Sequence, residues 1–254
     1  MSNVPQSNPG EILNWPMLKI QYQTTPEAIA KLLPPGIDAG QSPTVYLTVY
    51  NFPILNEPEY GVVVSVAANC DGVEGEYTLL VGIDQEAPVI RCQERWGQPK
   101  YVAQVEYYRM IDKVAAKATH AGYTFLEFEG KITGPDDNLE GFDTNEFWTK
   151  YSRSFDMSEG KYDLPPRVIR VHSQYGTAYK EKVEGTLTLR ESPWDPIATL
   201  LPVTSKPEAH LWTPIFKGRQ YLEHKHLDGA AFWPYSETIS GSRWPGEGGG
   251  PLKS

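Results

Sequence analysis

Several familiar marks of function are missing from this 254-residue chain. It has two cysteines, Cys70 and Cys92, too few for a disulfide framework, so a reduced, cytoplasmic setting is expected. No run approaches the roughly 18 apolar residues of a membrane-spanning helix. The opening Met1-Ser2-Asn3-Val4-Pro5-Gln6 lacks a basic region followed by an apolar one, which gives no sign of a secretion signal. Positive charge is in deficit. A net charge of −9 argues against nucleic acid and anionic membrane as partners, since neither would attract such a chain. Small molecules and self-association remain.

Long helical periodicities are scarce, whereas turn formers are plentiful: 22 glycines and 22 prolines, with 15 tyrosines and 7 tryptophans. This mixture predicts a mainly β fold with a few short helices, of a size for one domain. Residues 1–16 read as an irregular arm and about 243–254, with Gly246-Glu247-Gly248-Gly249-Gly250, as a flexible tail. Leu18–Gln23 alternates like a strand and runs into a helix capped by Thr25, opened by Pro26 and stopped by Pro34-Pro35-Gly36. Strand-like runs follow at Thr44–Asn51, Val62–Asn69 and Glu76–Ile83. Asp84 is placed to start a second helix that Gly97 ends. Beyond it, Val102–Met110, Val114–Thr119 and Tyr123–Ile132 read as strands, and Thr133–Leu139 as a polar loop. Phe147–Phe155 fits either a strand or a partly buried turn. Val168–His172, Thr177–Val183, Thr186–Arg190 and Glu208–Phe216 read as separate later strands.

Chemistry concentrates at Gly97-x-Pro99-Lys100. Glycine opens backbone angles closed to other residues, and proline fixes its own φ and extends Gln98. A lysine leaving such a turn has a defined origin and direction. By itself the pattern also suits an ordinary surface turn.

Glu94-x-x-Gly97-x-Pro99-Lys100 resembles the active-site segment of the acetoacetate decarboxylase superfamily, whose lysine after the proline forms a Schiff base with a keto substrate. The surrounding pieces keep the family's order over roughly residues 12–220. They are Leu32-Leu33-Pro34-Pro35, Gly72-Val73-x-Gly75-Glu76-Tyr77, Glu184-Gly185-Thr186-Leu187-Thr188-Leu189, Asp195-Pro196 and Leu201-Pro202-Val203. The resemblance implies an antiparallel β-cone or barrel with a few short helices, assembled as a homo-oligomer of four or more subunits. A closed barrel would also remove the exposed edges of so many strands.

The match is incomplete. Decarboxylases of the family carry a second lysine after the nucleophile, where this chain has Tyr101, and an arginine in the first arm, where it has Trp15 and Pro16. Of their two site glutamates one corresponds to Glu59. The other falls in Val45-Tyr46-Leu47-Thr48-Val49, which has no carboxylate. These departures resemble a divergent branch, some members of which act as aldolase–dehydratases or hydratases on pyruvate-type substrates. The resemblance implies Lys100 as nucleophile and Glu59, Tyr60 and Glu94 as proton-transfer candidates. Tyr101, Trp15, Trp96, Gln98 and Tyr235 are then candidates for contact with a small keto acid.

A Schiff base makes the ketone carbon an electron sink. The attacking amine must be neutral, and an unperturbed lysine, with a pKa of about 10.4, is protonated at neutral pH. With no cation at position 101, burial among Trp15, Trp96, Val102 and the valines of 62–66 is the expected means of activation. Each role has a plainer counterpart: Glu94 bonding the turn, Glu59-Tyr60 marking a strand entry, Tyr235 lying on the surface. His224-Lys225-His226 lacks a third ligand at suitable spacing, so neither metal nor cofactor is expected. The competing classes are a β-keto acid decarboxylase and a non-catalytic barrel that binds a small apolar ligand.

Overall fold

The computed structural model describes residues 16–54 and 57–253. The first half runs β1 (Met17–Gln23), α1 (Pro26–Ala30), β2 (Asp38–Ala39), β3 (Thr44–Ile54), β4 (Glu57–Cys70), β5 (Val73–Ile83), α2 (Glu86–Trp96) and β6 (Lys100–Val102). Next come β7 (Gln104–Met110), β8 (Lys113–His120), β9 (Tyr123–Pro135) and β10 (Phe142–Arg153). The chain then forms β11 (Tyr162–Leu189), α3 (Ile197–Leu200), β12 (Glu208–His226) and α4 (Gly229–Phe232).

All the strands join one sheet, in the order β10-β5-β4-β3-β1-β12-β11-β9-β8-β7 with β2 and β6 at its side. A further pairing of β10 with β11 closes seven of these strands into a ring. The fold is thus mainly β with short helices, as expected, but its strands are not all antiparallel. The ring shuts at a parallel contact two residue pairs long, Glu146 with Glu76 and Phe147 with Tyr77. Further along the same edge of β5, β6 also pairs in parallel, with Lys100 opposite Val81. Lys100 therefore enters the sheet just beyond the ring's seam.

Side-chain alternation separates two apolar faces. On one face Leu18, Ile20, Val62 and Val64 join the larger cluster, which takes in Phe125 and Phe128 of β9 and Ile29 of α1. On the other, Met17, Tyr50, Val81, Tyr175 and Trp212 form a smaller cluster inside the ring.

Several elements are longer than the sequence suggests, β9 among them, which runs to Pro135 into the expected polar loop. Val168–His172, Thr177–Val183 and Thr186–Leu189 are parts of the single β11, whose pairing with β12 shifts register between Gln174 and Tyr175 and between Thr177 and Tyr179. These shifts break the period-2 pattern while the backbone stays extended. β12 continues past Phe216 to His226, because its polar residues Arg219 and Tyr221 face the ring's interior. Phe147–Phe155 resolves into the last half of β10, with Phe155 beyond its end. Helix α1 stops at Ala30, short of Leu33. Its expected start holds: Pro26 is the first residue, and the Thr25 hydroxyl accepts from Ala28 N at 3.2 Å. Asp84 does not cap α2. Gln85 takes that position, and the Asp84 carboxylate accepts from Tyr60 N at 3.0 Å.

The C-terminal stretch is held, not loose. Trp244 is 0% exposed, and bridges pair Thr238 with Pro245 and Glu247 with Gly250. Two chain reversals closed by these bridges hide behind its glycine-rich composition. No helix among the described residues is long and apolar enough to cross a membrane.

Candidate active site

Helix α2 ends at Gly97, whose φ of 66° lies in the left-handed region that glycine enters freely. A Cβ there would stand 2.5 Å from Thr149 O and 2.6 Å from Lys150 Cα, so β10 also demands the absence of a side chain. The Lys150 ammonium donates to Glu94 O and Arg95 O, each at 2.8 Å, and so satisfies carbonyls freed at the helix end. Pro99 O then accepts from Val81 N at 2.7 Å and seats the chain on β5. Lys100 begins β6 with its side chain inside the ring, where it is 6% exposed.

The ring lines a cavity of about 210 Å³, a volume suited to a small molecule. Lys100 and Glu59 share it, with Nζ and Oε1 3.7 Å apart. Glu59 is fully buried. Its Oε1 accepts from the Tyr50 hydroxyl at 3.0 Å, and its Oε2 has no partner among the described residues. Burial pushes this carboxyl up, and Lys100 and the Tyr50 hydroxyl pull it partly back. The result is a carboxyl that holds its proton to higher pH than usual, with one oxygen near an amine and the other free among the described residues.

Trp96 forms part of the wall and stacks on Tyr221, their ring centroids 4.3 Å apart and nearly parallel. Gln98 and Trp148 line the cavity as well, with the Trp148 indole donating to Thr78 Oγ1 at 3.1 Å. Arg219 brings a cation, oriented by Ser173 Oγ at 2.8 Å and the Tyr175 hydroxyl at 2.7 Å. Lys19, bonded to Thr48 Oγ1 at 2.9 Å, brings another. The wall thus carries groups suited to meet a carboxylate.

Of the residues singled out from sequence, Lys100, Glu59, Trp96 and Gln98 come together in this cavity. Four others lie elsewhere. Tyr60 follows Glu59 in β4 and so points to the opposite face, towards Asn51 and Tyr107. Tyr101 likewise turns away from Lys100. Its hydroxyl donates to Asp195 Oδ1, and its ring stacks on His120. Glu94 is on the exposed side of α2. Tyr235 packs against Phe232 at the C-terminal segment. Trp15 lies outside the described residues, and Val102 is 50% exposed and so does not help to bury the amine. Sequence reasoning did not single out Tyr50, Trp148, Arg219, Lys19 or Glu76. Their signal was a polar or aromatic residue at every second position of otherwise apolar strands, as in Thr48-x-Tyr50-x-Phe52. Cys70, Asp71 and His224 bring possible ligand atoms within 4.8 Å of one another. Lys225 already pairs with Asp71, and burial pushes the Cys70 thiol up to about 11, so no metal is assigned there.

Glu76, at the ring's seam, has its carboxyl pushed up to about 7, chiefly by burial, with Lys19 opposing and Glu146 adding to the rise. The folded chain therefore keeps this proton to higher pH than the unfolded one, whose carboxyl titrates near 4.3. Between those values the native state binds more protons, so this group makes stability fall as pH rises. Glu76→Gln removes that loss. Its melting temperature relative to the unsubstituted chain is expected to rise between pH 5 and pH 8, by roughly 2–4 °C for each kcal/mol. A difference that stays constant with pH would show that the carboxyl titrates normally.

Residues 1–227 match the family model described as acetoacetate decarboxylase. Over 89 residues the chain is 34% identical to acetoacetate decarboxylase 1 of Bradyrhizobium diazoefficiens. That stretch is 34% of this chain and 34% of the relative, so the match spans about a third of the relative's length. Among solved structures, the acetoacetate decarboxylase of Legionella pneumophila superposes with a TM-score of 0.69 at 17% identity, over 85% of both chains. The enduracididine biosynthesis enzyme MppR, solved with pyruvate, superposes with a TM-score of 0.64 at 13% identity, over 83% of this chain and 91% of its own. At such identities the two likenesses establish a shared fold.

Proposed function

This chain belongs to the acetoacetate decarboxylase family, and from that premise we propose that it is a Schiff-base-forming lyase acting on small 2-oxo acids through Lys100, with aldolase–dehydratase or hydratase chemistry. The observation that carries this reading is the buried Lys100–Glu59 pair, in which Glu59 Oε1 lies 3.7 Å from the amine and Oε2 is unpartnered among the described residues. Lys100 Nζ attacks the substrate's keto carbon, and the carbinolamine loses water to give an iminium. Loss of a proton from the neighbouring carbon gives an enamine. That enamine adds to an aldehyde, and loss of water followed by hydrolysis releases an unsaturated 2-oxo acid. Each proton movement needs a group able to give and take one, and Glu59 is within reach. Arg219 and Lys19 are suited to hold the carboxylate. A homo-oligomer in solution is part of the same proposal.

Decarboxylation is the second reading, favoured by the two wall cations and by the family itself. It needs the carboxylate positioned and the iminium formed, but no base for a carbon-bound proton. One comparison separates them. Pyruvate with a small aldehyde is expected to yield an absorbing unsaturated 2-oxo acid, with weak or absent carbon dioxide release from acetoacetate. Enzyme-like carbon dioxide release with no condensation product would establish the decarboxylase instead.

A further inference from the structure

We propose that the C-terminal segment 236–250 is a clasp that positions the Lys100 turn, with Arg243 as its main positioning residue. This rests on Lys100 being the nucleophile. The segment follows the residues that the family model matches, which end at 227.

The carbonyls of the turn need partners, as buried backbone groups do. Gln98 O accepts from Lys100 N at 2.8 Å, and Pro99 O from Val81 N at 2.7 Å. The other two depend on the C-terminal segment. Gly97 O accepts from the Arg243 guanidinium at 2.7 Å. Lys100 O accepts from the Gln93 side-chain amide, and that amide lies against Gly241, where an added Cβ would come within 2.5 Å of Gln93 Nε2.

Arg243 is itself fixed on several sides. Its Nη2 also donates to Thr149 O at 2.7 Å and its Nε to Thr149 Oγ1 at 2.8 Å. Its backbone N donates to Leu79 O at 2.7 Å, two residues before the Val81 that pairs with Lys100. The guanidinium thus ties β10 to the start of the turn while its own backbone is tied to β5. A rigid fork can do this, whereas the single ammonium of lysine cannot hold the same set in plane.

Trp244 grips the far end of the turn. Its indole donates to Asp195 Oδ1 at 3.2 Å, and the same oxygen accepts from the Tyr101 hydroxyl. His120 Nδ1 lies 2.7 Å from Asp195 Oδ2, and Asp195 is fully buried. Residues 97 and 101, on either side of the lysine, are therefore both held through consecutive residues of one distant segment. Misplacing a reacting group by about 1 Å can cost about 10²-fold in rate, so such a hold bears directly on imine formation.

The test uses the full chain with Arg243→Ala and Arg243→Lys, each checked for folding by its melting curve. Two quantities are read: the rate of borohydride-trapped pyruvate adduct at Lys100 under saturating pyruvate, and amide hydrogen exchange of residues 97–103. Arg243→Ala is expected to trap roughly 10–100-fold more slowly, with pyruvate half-saturation little changed and faster exchange confined to the turn. Arg243→Lys should fall between it and the unsubstituted chain. A folded Arg243→Ala that traps at the unsubstituted rate, or leaves turn exchange unchanged, overturns the proposal. Should Arg243→Ala not fold, Trp244→Phe serves. It keeps the ring packed and removes the donor to Asp195, with a smaller change of the same sign expected and no change refuting the clasp. If the unsubstituted chain forms no adduct, the Schiff-base reading fails, and the exchange data still decide whether the segment holds the turn.

Discussion

Lys100→Ala is expected to lose the borohydride-trapped keto-acid adduct altogether and to drop turnover on the order of 10⁴–10⁶-fold, the scale on which removal of a covalent nucleophile acts. Lys100→Arg should be equally inactive, since a guanidinium stays protonated and cannot form the imine. The fold should survive both changes. Lys100 makes few structural bonds through its side chain, and the carboxyl it leaves behind is already inclined by burial to its neutral form. Mass spectrometry of the reduced complex and a circular dichroism spectrum are the checks. Adduct on surface lysines that persists in Lys100→Ala, or turnover within tenfold of the unsubstituted chain, would remove Lys100 from the chemistry.

Glu59→Gln is expected to slow turnover by about 10²–10⁴-fold, the usual range for a lost general acid or base. The amide keeps the size of the carboxyl and its place near Tyr50 but cannot pass a proton from its free end. Because burial pushes the Glu59 carboxyl up, its acid form persists above the ordinary carboxylate range. A limb of the pH–rate profile on the alkaline side of that range should therefore be present in the unsubstituted enzyme and absent from Glu59→Gln. Tyr50→Phe removes only the hydroxyl at 3.0 Å and should cost far less. A Glu59→Gln enzyme with undiminished turnover and the same profile would assign the proton transfers elsewhere.

Both substitutions sit at positions that the sequence indicated, and for the turn that carries Lys100 part of the reason is local. Gly97, Pro99 and Lys100 act through backbone restrictions that operate within four residues, so their conformation is written where they stand. The same holds for the start of α1, where Thr25 and Pro26 cap and open the helix as their types require. Glu59 was legible through a resemblance. The strand-like runs of β1, β3, β4 and β5 likewise announced a mainly β chain.

The errors have a common cause too. Tyr60 and Tyr101 are next in sequence to the two central residues, yet in a strand the neighbour of an inward side chain points outward, so adjacency in the chain became separation in space. Glu94 faces solvent because a helix presents only one side to the ring. The tail was misjudged because glycine content speaks of turns, while Trp244 and Arg243 find their partners, Asp195, Thr149 and Gly97, only once remote segments have come together.

By itself, then, the sequence determined the strand-rich class, the rigid turn and the lysine leaving it, because each follows from short-range sterics and a period of two. Tertiary structure decided the rest. Closing the ring at two residue pairs between β5 and β10 is what brings Glu59, Arg219 and Lys19 around one cavity. That closure depends on contacts between residues far apart in the chain, whose energies no local pattern records.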